Sequence, residues 1–171
     1  MSELHRKDVE TFKSAKKIPV CVVLDSVRSM NNVGSVFRTC DAFLVEKIYL
    51  CGITGQPPHR EIQKTALGAT ETVDWEYGSD IKSVLQSLKA GGYLICGIEQ
   101  TDESIALSRF SIQKDERYAL IFGNEVEGIS DEIMPALDAA IEIPQLGVKH
   151  SLNVSVAAGI VLYRFFETFI L

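Results

Sequence analysis

No apolar run in these 171 residues approaches the ~20 needed to cross a bilayer as a helix. The longest, residues 154–163, is closed by Arg164 and reads as part of a buried C-terminal helix. The chain is also poor in metal-ligating patterns. Its four cysteines, Cys21, Cys40, Cys51 and Cys96, form no CxxC pair, and His5, His59 and His150 are scattered. Zinc sites need ligands clustered at short spacings, so no metal centre is expected. Three of the thiols sit in or beside apolar runs, where a thiol behaves as a small hydrophobe. Neither the G-x-G-x-x-G turn of dinucleotide-binding oxidoreductases nor a P-loop occurs. The first 17 residues are polar and charged, unlike a signal peptide or anchor. A cytoplasmic protein with reduced core cysteines is the expectation.

Basic charge is scarce too. The net charge is −6 with a pI near 5.1, which speaks against broad, nonspecific nucleic-acid binding. Two local basic clusters stand out, Lys13, Lys16 and Lys17, then the weaker His59, Arg60 and Lys64. Each reads first as a solvated face. Charge alone leaves the function open.

What is abundant is apolar residues, 46% of the chain, enough for a core without disulfides or metals. Short β-branched runs occupy residues 20–25, 47–50, 93–98, 119–122 and 140–143, with a weaker one at 72–75. Several are apolar on consecutive residues, as in parallel strands covered on both faces. Helical patterns fall at 33–43, at 79–89 with Ser79 and Asp80 as caps, at 130–137, and at 151–169, which is apolar enough to be buried nearly all round. The basic stretch around residues 13–17 is a further helix candidate. Alternation of strands and helices predicts one α/β domain over 1–171: an open, mostly parallel sheet with helices on both faces, preceded by an N-terminal extension of about 19 residues.

Ligands of such sheets bind at the carboxyl ends of strands, so the loops there are the place to look. Three carry chemistry. The first runs from Asp25 to Asp41, with Asn32 before a helix and Arg38 six residues on, near the same face. A guanidinium there can fork onto a phosphate; an Asn cap with a surface Arg is an equally good reading. The second is Phe-Gly-Asn-Glu-Val-Glu-Gly-Ile, in which Gly123 admits a close backbone approach and Glu125 offers a carboxylate. An ordinary strand–turn–helix link explains it equally well. The third is Ile-Pro-Gln-Leu-Gly-Val-Lys-His-Ser-Leu-Asn-Val-Ser-Val-Ala from Ile143, with Ser151 as a candidate cap.

Together these segments resemble, in order, the three motifs of the SpoU (TrmH-like) family of RNA 2′-O-ribose methyltransferases, within the SPOUT superfamily. The likeness runs from about Val20 to the C-terminus, and the third motif is the most specific. The stretch Lys64-Thr-Ala-Leu-Gly-Ala69 also resembles a family segment. Membership implies a C-terminal trefoil knot and a homodimer whose active site is shared across the interface. It implies S-adenosylmethionine as methyl donor, contacted by Gly123, Ile143 and Leu152 with Ser151 close by. It implies that Asn32, Glu125, Ser151 and Asn153 order the active site, and that Arg38 is the central catalytic residue. The short N-terminal extension is more typical of tRNA-modifying branches, so tRNA is the expected substrate and ribosomal RNA the alternative. A non-catalytic RNA-binding dimer on the same scaffold would show decayed motifs; Asn32, Arg38, Glu125, Ser151 and Asn153 are all in place.

Overall fold

The computed structural model describes residues 9–148 and 151–171, so His150 of the third segment lies outside the described residues. Seven strands form one sheet: β1 (Ile18–Asp25), β2 (Val45–Cys51), β3 (Trp75–Gly78), β4 (Tyr93–Ile98), β5 (Ile105–Ala106), β6 (Arg117–Phe122) and β7 (Ala139–Glu142). Their order is β3-β2-β1-β6-β4-β7-β5, and every neighbouring pair is parallel. The helices are α1 (Val9–Ser14), α2 (Met30–Ala42), α3 (Arg60–Ala66), α4 (Ala69–Thr72), α5 (Ile81–Ala90) and α6 (Val154–Ile170), with a 3₁₀ helix at Asp131–Ala136.

The consecutive apolar runs of β1 and β6 are buried because both sheet faces are covered. On one side Val20, Val22, Leu24, Leu120 and Phe122 pack with α1–α4 and α6; on the other, Cys21, Val23, Ala119 and Ile121 pack with α5 and the 3₁₀ helix. All four cysteines are free and buried in these two cores. Burial pushes the Cys21 thiol up to about 11 and those of Cys51 and Cys96 to about 12.

Helix α2 has a clear sequence origin. Ser29 caps it, its Oγ accepting from the Asn32 amide at 3.3 Å. Val33, Val36, Phe37 and Cys40, at spacings of three and four, form its buried stripe. It starts three residues before the expected 33–43, so Asn32 lies inside the first turn. In α6, Val154, Ala158, Val161, Leu162 and Phe165 are buried on one side. Its cap is Asn153, whose Oδ1 accepts from the Ser155 amide at 3.0 Å, and not Ser151. The expectation of near-complete burial fails for this helix: Val156, Ile160 and Tyr163 are 50%, 41% and 49% exposed, because none of the described residues covers that side.

Further differences have local causes. Asp80 alone caps α5, through the amides of Lys82 and Ser83. The chain is still helical at Thr72, so the edge strand expected at 72–75 forms at Trp75–Gly78. The N-terminal helix lies at Val9–Ser14 and ends before Lys16 and Lys17. Helices α3 and α4 and the two-residue β5 were not expected; they are too short to show a period.

Candidate active site

The sheet reverses its order of succession at its centre, where β1 pairs with β6. The loops leaving the carboxyl ends of these two strands meet there, as the switch-point rule requires. Glu125, in the loop after β6, joins them. Its carboxylate accepts from the backbone amides of Arg28 and Ser29, at 3.2 Å each, and from Asn32 Nδ2 at 3.1 Å. Asn32 Oδ1 in turn accepts from Asn153 Nδ2 at 3.1 Å. Three of the expected site residues, one from each segment, thus form one chain of hydrogen bonds: Asn153, Asn32, Glu125. Burial alone would push the Glu125 carboxyl up. Hydrogen bonds from its own amide, Asn32, Arg28 and Ser29 more than offset this and hold it below its usual value.

Beside this network lies a cavity of about 420 Å³, within the range of small-ligand sites. Gly123, Glu125, Ile143, Ser151, Leu152 and Asn153 all line it, so the expected cofactor residues share one wall system with two members of the network. Its apolar lining includes Ile98, Phe122, Ile141 and Val154. Four carboxylates also border it, Glu99, Glu125, Glu127 and Glu142, and no lysine, arginine or histidine does among the described residues. An apolar slot with an acidic border suits a ligand that combines a flat heterocycle with positive charge.

Gly123 is needed for a reason other than ligand approach. A Cβ there would lie 2.0 Å from the Gly128 carbonyl carbon and 2.2 Å from the Ile129 nitrogen. The loop's own backbone occupies that space, closed by paired bonds between Asn124 and Gly128.

Two residues not singled out from the sequence hold the same loop. Asp25, only 2% exposed at the end of β1, accepts from the Ser130 amide at 2.9 Å and its hydroxyl at 2.7 Å. Glu99, just after β4, accepts from the Ile129 amide at 3.1 Å. A charged residue directly after an apolar strand was the available signal for both. Their partners, 105 and 30 residues away, were not legible.

Arg38 stands apart. It is exposed, does not line the cavity, and its side chain makes no hydrogen bond or ion pair with any described residue. At ~1.5 Å per residue, its position on α2 is about 9 Å along the axis from Asn32. The structure therefore gathers Asn32, Glu125, Ser151 and Asn153 and leaves Arg38 on the outer surface. Among the described residues no group of His, Cys, Asp or Glu could hold a metal ion, and no helix is long and apolar enough to cross a membrane.

Comparison with known proteins gives a consistent result. The profile of the SpoU rRNA Methylase family matches residues 19–163. The tRNA (guanosine(18)-2′-O)-methyltransferase of Thermus thermophilus is 29% identical over 163 residues, covering 95% of this chain and 82% of that protein. The 23S rRNA (guanosine-2′-O-)-methyltransferase of Neisseria meningitidis is also 29% identical, over 94% of this chain and 62% of its own length. Among solved structures, the AdoMet-bound rRNA methyltransferase of Sinorhizobium meliloti superposes with a TM-score of 0.82 at 25% identity, covering 93% of this chain and 60% of that one.

Proposed function

From the chain's membership of the SpoU rRNA methylase family, whose profile spans residues 19–163, we propose that it methylates the ribose 2′-hydroxyl of an RNA, with tRNA as the substrate class. The observation that carries this is the meeting of all three motif segments at one acid-bordered cavity. S-adenosylmethionine fits that cavity and supplies an activated methyl on a cationic sulfonium. Gly123, Ile143 and Leu152 hold it largely through backbone groups, with Ser151 beside them. The surrounding carboxylates favour its positive charge.

The other residues act on the RNA side. Asn32, Glu125 and Asn153 fix the position of the ribose relative to the cavity. Arg38 binds the adjacent phosphate, orients the hydroxyl and stabilises the alkoxide charge that develops on it. It does not serve as the base, because a guanidinium has no lone pair free to accept the hydroxyl proton. That no described residue pairs with the Arg38 side chain supports this role; it has a charge to offer.

A homodimer completes the site. The exposed stripe Val156, Ile160 and Tyr163 on α6, with open space at Gly159, is the face a second copy would cover. Arg38 then reaches the cavity of the partner subunit. That the loops after β6 and β7 both border one cavity supports a C-terminal trefoil knot within a single catalytic domain. Reduced, buried thiols support a cytoplasmic setting. The same chemistry on ribosomal RNA is the second reading, favoured by the likeness to the Neisseria enzyme.

The test uses purified protein, methyl-labelled S-adenosylmethionine and separate pools of unmodified tRNA and ribosomal RNA, digested to nucleosides for mass spectrometry. Label on a 2′-O-methylnucleoside from tRNA is expected. Label on a base would contradict the ribose chemistry, and label in the ribosomal pool alone would reassign the substrate. Light scattering at micromolar concentration should give twice the chain mass.

A further inference from the structure

Of the two basic clusters, 42 residues apart between Lys17 and His59, Lys13 lies on α1 and Arg60 with Lys64 on α3, helices that cover the same side of the sheet. Helix α1 packs against α4, α4 adjoins α3, and α2 packs against both α3 and α4. Arg60 and Lys64 therefore stand on a helix packed directly against α2, which carries Arg38. The stripe Asn31, Gly34, Arg38 and Asp41 of α2 faces α3 and α4: Thr65 Oγ1 donates to the Asn31 carbonyl at 3.0 Å, and Thr72 Oγ1 to Asp41 at 2.5 Å. Arg38, between these two ties, stands level with the α3–α4 junction. There Leu67 is left-handed (φ 51°) and 67% exposed, an apolar side chain offered to solvent.

The pairing of charges separates this flank from most of the surface. Elsewhere several cations are neutralised: Lys82 by Glu132 at 2.8 Å, Lys89 by Asp138 at 3.2 Å, Lys47 by Glu76 at 2.7 Å, Arg117 by Glu46 at 2.8 Å. On the flank, Arg38 and Arg60 have no side-chain partner among the described residues, and Lys64 reaches Glu61 only at 4.0 Å. Unpaired arginines beside Arg38, on packed helices of an acidic protein, have charge to offer an external polyanion.

We propose that the α2–α3–α4 flank is the RNA-docking surface: Arg60 and Lys64 hold backbone phosphates flanking the target nucleotide, and Leu67 packs against a neighbouring sugar or base. This rests on the RNA-methyltransferase reading and extends it to α3, which carries none of the three motifs. Phosphate contacts of this kind position the RNA without reading its sequence.

The experiment measures tRNA affinity directly, by filter binding across a salt series, for wild type and for Arg60→Glu/Lys64→Glu. The control is Arg109→Glu/Lys114→Glu, which makes the same charge change at two cations without ion pairs in the segment leading into β6, at the opposite end of the strands. The flank variant should bind tRNA at least tenfold more weakly, with S-adenosylmethionine affinity unchanged. Its plot of log affinity against log salt should be shallower by about 1.4 to 1.8, at ~0.7 to 0.9 per lost phosphate contact. The control should stay within twofold of wild type. Equal loss in both variants would assign the effect to net charge and overturn the proposal. So would an unchanged salt slope, or a flank variant that has become monomeric, which would make this flank a contact between copies. A wild type that binds tRNA through the flank yet transfers no methyl would sink the enzyme reading and keep the flank. A wild type that methylates tRNA, with the flank variant binding equally well, would do the reverse.

Discussion

The two sides of the central sheet are built from the same strands and do different things. The side covered by α5 and the 3₁₀ helix buries Leu85, Leu88, Ile129 and Ile133 and ties its surface cations to acids. The side covered by α1–α4 and α6 buries more, including Phe37, Phe122 and Phe165, yet leaves its periphery unfinished. Among the described residues, Arg38 on α2 and Arg60 on α3 have no side-chain partner, and Val156, Ile160 and Tyr163 form an exposed apolar stripe on α6. The first side is closed on itself and supports the loops. The second spends its exposed residues on groups that make sense only against another molecule. The difference teaches that the functional side is recognised by what it leaves unsatisfied, not by how well it packs.

The comparison can be broken at several points. Glu125→Ala removes the acceptor for three donors and unties the loop after β6 from the start of α2. Methyl transfer should fall about 10²-fold or more, since misplacement by about 1 Å costs that much. Cofactor affinity should fall with it, because the loop borders the cavity. Glu125→Gln, which keeps one acceptor, should recover part of both. A titration of S-adenosylmethionine beside a rate assay measures the pair.

Gly34→Val tests whether the α2–α3 contact is obligatory. A Cβ at Gly34 would lie 2.1 Å from Thr65 Oγ1 and 2.3 Å from the Ile62 carbonyl oxygen. The helices must part, at a cost of about 3 kcal/mol, read as a loss of denaturation free energy. Tolerance of valine there would mean that the packing of the flank is looser than described.

A smaller effect is expected from pH. The Glu125 carboxyl is depressed in the folded protein, so its contribution is complete above the unfolded value of 4.5 and is lost as pH falls through the lower folded value. The difference in cofactor affinity between wild type and Glu125→Gln should be constant from pH 7 to 5 and shrink below 4.5. For the thiols the sign is opposite. Raised to about 11 to 12 by burial, Cys21, Cys51 and Cys96 stay protonated and should resist alkylation at pH 8 until the chain unfolds. The smallest effect should come from Lys82→Ala on the closed side, with no measurable change in transfer, RNA affinity or denaturation midpoint, because exposed ion pairs contribute little.

How far the sequence foretold this is best judged from particular residues. The strands were legible because consecutive apolar runs such as Val20, Cys21, Val22 and Val23 fit only a sheet buried on both faces. Asn32, Glu125 and Asn153 were legible as members of motifs, but not as neighbours, since their contacts span 93 and 121 residues. Ser151 was misjudged as a cap because Asn153, two residues on, has an equally suitable side chain and only the backbone path decides between them. Gly123 has a second reason to be glycine that was not legible: the atoms it makes room for belong to Gly128 and Ile129, and no spacing rule reveals a loop folded back on itself. Arg38 was legible as a motif residue, but its distance from the cavity depends on the angle at which α2 leaves the sheet. Asp25 and Glu99 were passed over because a carboxylate after a strand gives no sign of which amide it will meet.

The central claim is that the cavity and the RNA-facing helices are separate parts, with Arg38 belonging to the second. Arg38→Ala tests it most directly, by calorimetric binding of S-adenosylmethionine alongside single-turnover transfer to tRNA. The account predicts cofactor affinity within twofold of wild type and a transfer rate at least 10²-fold lower, the scale of losing one charge-stabilising donor. An equal loss of cofactor binding, or transfer that persists without the guanidinium, would contradict it.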